Sequence, residues 1–361
     1  MRVVLTGGGT GGHVYPALAI AEALRESRGD IEIVFLGTAS GLESKIVPSF
    51  GESFRVIQAG GLVGKSIADR AKGAVNAAIG VAQSLKLLRK IKPAVVVGTG
   101  GFVMAPVLLA ARLLRLPFVI QEQNSYPGLT TRRFAGWAKQ VCIAYPQAAQ
   151  HLTNASTILT GNPLRKQLVE FASTSRTNSQ GNPPRILITG GSLGARSINN
   201  AVAESLAELC SLANVTWQFG RSGAPDALSS TMQVLTDTGK LQAAAFFDDM
   251  PRRYADSDMV VCRAGAMTLS EVSLFGLPSL LIPFPHAAHD HQTSNAKSFQ
   301  EAGAASLIQD KELDGEALLT GCKTILTDRK KYDSMSAAMN SLARPTAAKQ
   351  IAEIVFSSID S

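Results

Sequence analysis

Long apolar runs are missing from this chain. Hydrophobic residues make up 45% of its 361 positions, yet no unbroken stretch approaches the roughly 20 residues that cross a bilayer as a helix. Charge is also scarce: charged residues amount to 17%, and 35 Lys and Arg against 28 Asp and Glu leave a net charge of +7. That excess is too small for a general nucleic-acid binder, so the placement of the basic residues matters more than their number. Cysteine is limited to Cys142, Cys210, Cys262 and Cys322. They are too far apart for a metal knuckle and lie in or beside apolar stretches, so buried free thiols in a reducing compartment are expected. With Arg2–Leu5 read as a strand, no signal peptide is expected and the chain is placed in the cytoplasm. Neither glycine-rich loop is followed by Gly-Lys-Ser/Thr, which excludes a Walker nucleotide site.

Two such loops organise what is present. Thr6-Gly7-Gly8-Gly9-Thr10-Gly11-Gly12-His13 stands between the apolar run Arg2–Leu5 and a helix-spaced run from Val14, and Gly190-Gly191-Ser192-Leu193-Gly194-Ala195 stands between Arg185–Thr189 and Ser197–Val202. Strand, glycine turn and helix in that order bring backbone close to a ligand and present the unpaired N–H groups of a helix start, so an anion is expected at each. Single cores stop growing at about 250–300 residues. Two α/β domains with a cleft between them are therefore expected.

The first loop also fits the Gly-x-Gly-x-x-Gly dinucleotide fingerprint, but Gly37 and Thr38 occupy the end of the second strand, where a ribose-binding acid would stand. The second loop fits Gly-x-Ser-x-Gly, with Asp258 and His286, His289 or His291 as triad partners. Its N-terminal duplicate lacks a serine, which argues against a hydrolase. The cluster His286, His289, Asp290 and His291 raises zinc, but no further ligand group accompanies it and hydrogen bonding explains its polarity. Asp256 and Asp258 precede a strand and read as solvated helix-end carboxylates.

Further along the first half, Thr99-Gly100-Gly101-Phe102 and Gln121-Glu122-Gln123-Asn124-Ser125 follow apolar strands, and Glu122 and Asn124 are read as facing a ligand. From Gly60 to Lys92, Lys65, Arg70, Lys72, Lys86, Arg89, Lys90 and Lys92 are opposed only by Asp69, while Ile67, Ala71, Ala74, Val75, Ala78, Ala82 and Leu85 recur at helical spacing. Such a segment either packs its apolar side on the sheet or lies on anionic lipid. A polar stretch between Ala172 and Arg185 reads as the linker. In the second half, small residues after Met259–Cys262 leave the helix start at Ala266 open to an anion, and Glu271 within that helix suits the paired hydroxyls of a ribose.

The ordered set Gly8–Pro16, Gly98–Phe102, Glu122–Asn124, Gly161-Asn162-Pro163-Leu164-Arg165, Gly190–Ala195, Phe247–Met250, Arg263–Glu271 and Asp290-His291-Gln292 resembles the peptidoglycan lipid-linked N-acetylglucosaminyltransferases, hexosyltransferases that convert lipid I to lipid II. The resemblance covers nearly the whole chain. Gln121 stands where a histidine often precedes Glu-Gln-Asn in that family. It implies two Rossmann-like domains of the glycosyltransferase-B fold: residues 1–170 facing acceptor and membrane, residues 171–342 binding the UDP-sugar, and residues 343–361 as a helix returning to the first domain. It also implies inverting transfer from UDP-N-acetylglucosamine to the 4-hydroxyl of the muramoyl sugar. His13 is the implied base, and its ordinary pKa suits that task. Thr10, Gly11, Gly12, Asn124, Arg165, Ser192, Phe247, Ala266, Met267, Thr268, Leu269, Ser270, Glu271 and Gln292 are implied on the donor side. Gly11, Gly12, Gly100, Gly101 and Glu122 are implied on the acceptor side. No cofactor or metal is expected, nor is nucleic acid as a partner. Membrane contact through residues 62–92 places the chain at the cytoplasmic face of the plasma membrane. A related transferase for another sugar nucleotide or acceptor, or a nucleotide-sugar binder without activity, is the alternative.

Overall fold

The computed structural model describes residues 1–60, 67–175, 180–221, 223 and 229–360. Lys65 and, in the linker, Thr177, Asn178 and Ser179 lie outside the described residues, as do the side chains of Ile67, Asp69, Arg70, Ala71, Lys72 and Ala74. The chain divides into two units, Met1–Lys166 with Arg344–Ser361, and Gln167–Ala343. The change-over falls a few residues ahead of the expected boundary, so the helix Lys166–Ser175 mostly belongs to the second unit.

The first unit is a parallel sheet built from β1 (Arg2–Thr6), β2 (Glu32–Gly37), β3 (Ser53–Val56), β4 (Val95–Gly98), β5 (Phe118–Glu122), β6 (Gln140–Ile143) and β7 (Thr157–Leu159), in the order β3-β2-β1-β4-β5-β6-β7. Alternate residues of a strand point to opposite faces. Val3 and Leu5 accordingly pack under the helices Gly11–Ser27 and Ala347–Asp360, while Val4 and Val96 pack under Met104–Leu113 and Leu88 of the helix Ile67–Ile91. Strands buried on both faces read as unbroken β-branched runs, as Val95–Val97 does.

The second unit repeats this plan with β8 (Arg185–Thr189), β9 (Asn214–Gln218), β10 (Leu241–Ala244), β11 (Met259–Cys262), β12 (Ser279–Leu281) and β13 (Ala305–Leu307), in the order β10-β9-β8-β11-β12-β13. Every described pairing in both sheets is parallel. In each sheet the strand order reverses once, between β1 and β4 and between β8 and β11. Ligands of open parallel sheets gather beyond the carboxyl ends of the strands at such a reversal. Both glycine loops leave from these strands.

Two readings are revised. The apolar stripe of the basic helix divides: Leu85 packs against the core beside the inward-facing Gly80, Ser84 and Leu88, whereas Val75, Ala78 and Ala82, with Ile79, are exposed in line with Lys86, Arg89 and Lys90. Gly80 is small because the Gln58 carbonyl passes where its Cβ would lie. Asp258 is not solvated either. It is buried at the amino end of β11, accepting from the Gly181 and Arg185 N–H groups at 3.1 and 2.7 Å and pairing with the Arg185 guanidinium at 3.2 Å. It ties the polar stretch before β8 to the sheet.

Ile351 of the helix Ala347–Asp360 is fully buried in the first unit's core. Ile351→Ala should lower the stability of that unit by about 2–5 kcal/mol, read from its urea unfolding midpoint; a loss below the error of the measurement would show that this helix contributes little.

Candidate active site

The helix Gly11–Ser27 begins after Thr10, which is extended; no side-chain bond caps this start and its first turn carries no acidic residue. The loop ahead of it is shaped by close approach. A Cβ on Gly7 would overlap Thr99 Oγ1, and Gly9 lies at φ +88, a region that favours glycine. Behind the loop stands Glu43, which the sequence reading missed. Its buried carboxylate accepts from the Thr38 N–H at 3.0 Å, the Thr38 hydroxyl at 2.6 Å and the Gly9 N–H at 3.0 Å. Gly8, Gly37 and Gly41 are small because each abuts that side chain. The acid absent from the end of β2 is thus supplied a few residues later, and it holds the loop rather than a ribose.

His13 sits in the first helical turn, half-buried, with Nδ1 3.0 Å from Gln123 Oε1. Gly100 and Gly101 lie at φ +105 and +79 beside it, and a Cβ on Gly100 would come 2.5 Å from His13 Nδ1. Gln123 in turn donates to the Thr99 carbonyl at 2.7 Å and to the carbonyl and side-chain oxygens of Gln121. Gln121 donates to Asn162 at 3.0 Å, and Asn162 back to the Gln123 carbonyl at 3.2 Å. All three amides are buried.

Glu122 requires a correction. It is 2% exposed, and both its oxygens are occupied by its own loop: the Asn124 N–H at 3.0 Å and side-chain amide at 3.2 Å on one, the Gly128 N–H at 3.1 Å on the other. A buried carboxylate so used orients Asn124 and does not reach outward. Arg165 is exposed, its guanidinium 5.7 Å from the Tyr15 ring and 5.9 Å from the Phe50 ring.

In the second unit the loop after β8 is tight for the same reasons. Gly191 and Gly194 lie at φ +80 and +79, and the next chain segment at Gly220 touches the Gly194 backbone. Ser192 is exposed at its tip. Gln218, buried at the end of β9, donates to the Thr189 hydroxyl at 3.1 Å and accepts from the Phe247 N–H at 3.0 Å, so it fixes the segment that carries Phe247. Arg253 lies over the Phe247 ring at 4.4 Å.

The helix Ala266–Leu274 starts after Gly265, again with no side-chain cap bond and no acid in its first turn. Ala266, Met267 and Thr268 form that turn. Leu269 is fully buried and its N–H bonds the Gly265 carbonyl, so it offers no side chain to a ligand, while the Ser270 hydroxyl turns back to the Ala266 carbonyl. Glu271 is half-buried and accepts from the Tyr254 hydroxyl at 3.2 Å. Burial, with the Glu271 carboxylate adding to it, raises the Tyr254 phenol well above the ordinary tyrosine range, so this group remains a donor. Gln292 accepts from the Phe284 N–H at 3.0 Å. The loop before Gln292 is strained: His289 and Asp290 both lie at φ +54. Arg263 braces it, bonding the Ile282 and Pro283 carbonyls, the Ser197 hydroxyl and Asp310.

Asp258, ion-paired at the amino end of β11, is at the wrong end of the sheet to complete a triad with Ser192. Among the described residues no group of three or more His, Cys, Asp or Glu side chains is placed to hold a metal. The four thiols are buried and free; burial pushes those of Cys142, Cys262 and Cys322 up to about 12.

Two parallel-sheet units, each with an open helix start at its strand-order reversal, define the glycosyltransferase-B fold. Comparison with known proteins narrows the class. The glycosyltransferase family 28 N-terminal domain model matches residues 3–143 and the C-terminal domain model residues 185–351. The UDP-N-acetylglucosamine--N-acetylmuramyl-(pentapeptide) pyrophosphoryl-undecaprenol N-acetylglucosamine transferase of Anaeromyxobacter dehalogenans is 39% identical over 354 residues, covering 98% of this chain and 92% of the relative. The protein of the same name from Moorella thermoacetica is 38% identical with complete coverage of both. Among solved structures, Acinetobacter baumannii MurG superposes with a TM-score of 0.78 at 28% identity, covering 99% of each chain. The chain belongs to this family of N-acetylglucosamine transferases.

In Glu43→Gln one oxygen becomes an NH2 group, so either Thr38 or Gly9 faces a donor instead of an acceptor. An unmatched buried group costs about 1–3 kcal/mol. The variant should lose that much stability and exchange its Gly9 or Thr38 amide faster; unchanged exchange at both would show that the carboxylate does not hold the loop.

Proposed function

We propose that the chain transfers N-acetylglucosamine from UDP-N-acetylglucosamine to the 4-hydroxyl of undecaprenyl-diphosphoryl-N-acetylmuramoyl-pentapeptide, with inversion, giving lipid II and UDP. The observation that carries this reading is His13 at an uncapped helix start, next to Gly100 and Gly101, in a chain similar over its full length to transferases of that name. In the first unit, the N–H groups of Gly11 and Gly12 and the turn at Gly100 and Gly101 receive the acceptor's pyrophosphate. Thr10, Asn124 and Arg165 complete the surroundings of the reacting groups, with Glu122 holding Asn124. In the second unit, Ser192 and the helix start at Ala266, Met267 and Thr268 receive the diphosphate of UDP. Ser270 lines the following turn, Phe247 lies beside the uracil, Glu271 accepts from the ribose hydroxyls and Gln292 bonds the sugar.

The transfer balances without a cofactor. The 4-hydroxyl oxygen bonds to the sugar's anomeric carbon from the face opposite UDP, the bond from that carbon to the diphosphate oxygen breaks, and its electron pair leaves with UDP. The hydroxyl proton goes to His13. Helix N–H groups stabilise the charge that develops on the leaving group.

The lipid acceptor lies in a membrane, and the exposed stripe of Val75, Ile79 and Ala82 with Lys86, Arg89 and Lys90 has the make-up of a surface that rests on anionic headgroups at the cytoplasmic face. Binding to vesicles containing an anionic lipid should weaken as salt rises, and Lys86→Glu with Arg89→Glu should weaken it further. Equal binding to neutral vesicles would count against an electrostatic grip.

UDP release from UDP-N-acetylglucosamine, measured with and without the lipid-linked muramoyl-pentapeptide, tests the reaction. Release should depend on the acceptor and fall at least a hundredfold in His13→Ala while UDP still binds. UDP binding without acceptor-dependent release would leave a transferase for another acceptor, or a binder. Tyr254→Phe removes a donor from Glu271 and should lower UDP affinity about fivefold, equivalent to about 1 kcal/mol; calorimetry reads this directly.

A further inference from the structure

The amide chain behind His13 has only one consistent set of donors and acceptors. The Thr99 carbonyl oxygen cannot donate, so the Gln123 atom 2.7 Å from it is the NH2 nitrogen. The same nitrogen faces the Gln121 backbone and side-chain oxygens, and the Gln121 orientation is fixed in turn because its own nitrogen donates to Asn162 at 3.0 Å. Asn162 closes the ring by donating to the Gln123 carbonyl at 3.2 Å. With Gln121 at 0% and Gln123 and Asn162 at 2% exposure, no bulk water relaxes this arrangement. Gln123 Oε1 is therefore the atom presented to His13, and an oxygen 3.0 Å from Nδ1 needs a hydrogen there.

We propose that Gln123, held by Gln121 and Asn162, is the positioning residue that fixes His13 as the Nδ1–H tautomer and so makes Nε2 the nitrogen that takes the acceptor's proton. This rests on the reading of His13 as the base. The same Gln123 orientation serves the neutral ring and the imidazolium, since Nδ1 donates in both. A proton can thus arrive at Nε2 and leave again without any change behind the ring. Two further contacts keep the ring in place: Thr99 Oγ1 donates to the His13 carbonyl at 2.8 Å, and the glycines at 100 and 101 leave the ring its space. Gln121, the position where a histidine is frequent in the family, is a fixed member of this chain and not a second base.

The chain is tested by two-bond ¹H–¹⁵N correlation spectra of histidine-labelled protein above the imidazole pKa. There are five histidines, and the spectrum of His13→Ala identifies the His13 signals. The expected result is a single Nδ1–H pattern in the native protein, shifting toward Nε2–H in Gln123→Leu, with kcat at least tenfold lower and UDP affinity unchanged. A native Nε2–H pattern, or a tautomer unaffected by Gln123→Leu, would overturn the proposal. Should Gln123→Leu fail to fold, Gln123→Glu gives the second readout: a carboxylate beside Nδ1 favours the imidazolium, so the acid limb of kcat/KM must move to higher pH. An unmoved limb counts against Gln123 as the group that sets the ring's protonation. The tautomer is read without substrate, so a native protein that shows it but releases no UDP supports the positioning and counts against the transfer.

Discussion

A parallel sheet whose strand order reverses has one place on its carboxyl edge where two neighbouring loops part in opposite directions, and a helix start there has N–H groups with no partner inside the helix. The remainder of each unit serves that opening. β1 and β8 are interior strands of their sheets, each at the strand-order reversal, and the helices that follow them begin without an acidic residue in the first turn. An acid at either start would occupy the ground where a phosphate is proposed to sit. Glycine at 7, 8 and 9 and at 190, 191 and 194 lets the backbone close around the same spot.

Opening the edge of a buried sheet exposes polar backbone inside an apolar frame, and that polarity has to be matched. The chain does so with buried side chains one layer behind the loops. Glu43 takes the N–H of Gly9, Glu122 the N–H groups of Asn124 and Gly128, Gln218 that of Phe247, and Arg263 the carbonyls after β12. These residues touch no ligand in the proposed scheme, yet they decide where the ligand-facing groups stand. Leaving one of them unmatched would be costlier than losing an exposed contact, because solvent cannot replace the missing partner.

This layering also explains what could be read in advance. The two glycine loops, the alternating strands and the helix-start anion sites follow from local pattern, and so the α/β architecture was visible in Arg2–Ala21 and Arg185–Val202 alone. Glu43 was invisible for the opposite reason: it lies in a short helix, and Gly9, the partner that shows its role, is brought to it only by the sheet. Glu122 looked outward because a carboxylate at a strand end is polar; the turn to Gly128 folds it inward. The exposed apolar stripe of the helix Ile67–Ile91 has the same helical spacing as a core face, and only Gly80, pressed against the Gln58 carbonyl, shows which side is packed. Gly73 and Gly80, seven residues and about two helical turns apart, are the signal that marks this close-packing face.

The choice of side chains behind the proposed site of each unit follows a single electrostatic rule. Where the proposed ligand group is a pair of neutral hydroxyls, as at Glu271, a carboxylate is present and a buried tyrosine donates to it. Where the proposed ligand group is a pyrophosphate and the residue beside it is proposed to lose and regain a proton, as at His13, the partners are the neutral amides of Gln123, Gln121 and Asn162. A carboxylate in that place would favour the imidazolium, so that less of the ring is free as a base at a given pH, and would add a second negative charge close to the proposed anionic acceptor. An amide avoids both effects while still ordering the ring. The cost is that an amide, unlike a carboxylate, has two ends of opposite character and can be installed either way round, so it specifies a tautomer only if something else specifies the amide. The Thr99 carbonyl does this for Gln123 directly, and Asn162, itself fixed by donating to the Gln123 carbonyl, does it for Gln121, so each orientation ends at a backbone carbonyl whose polarity cannot change.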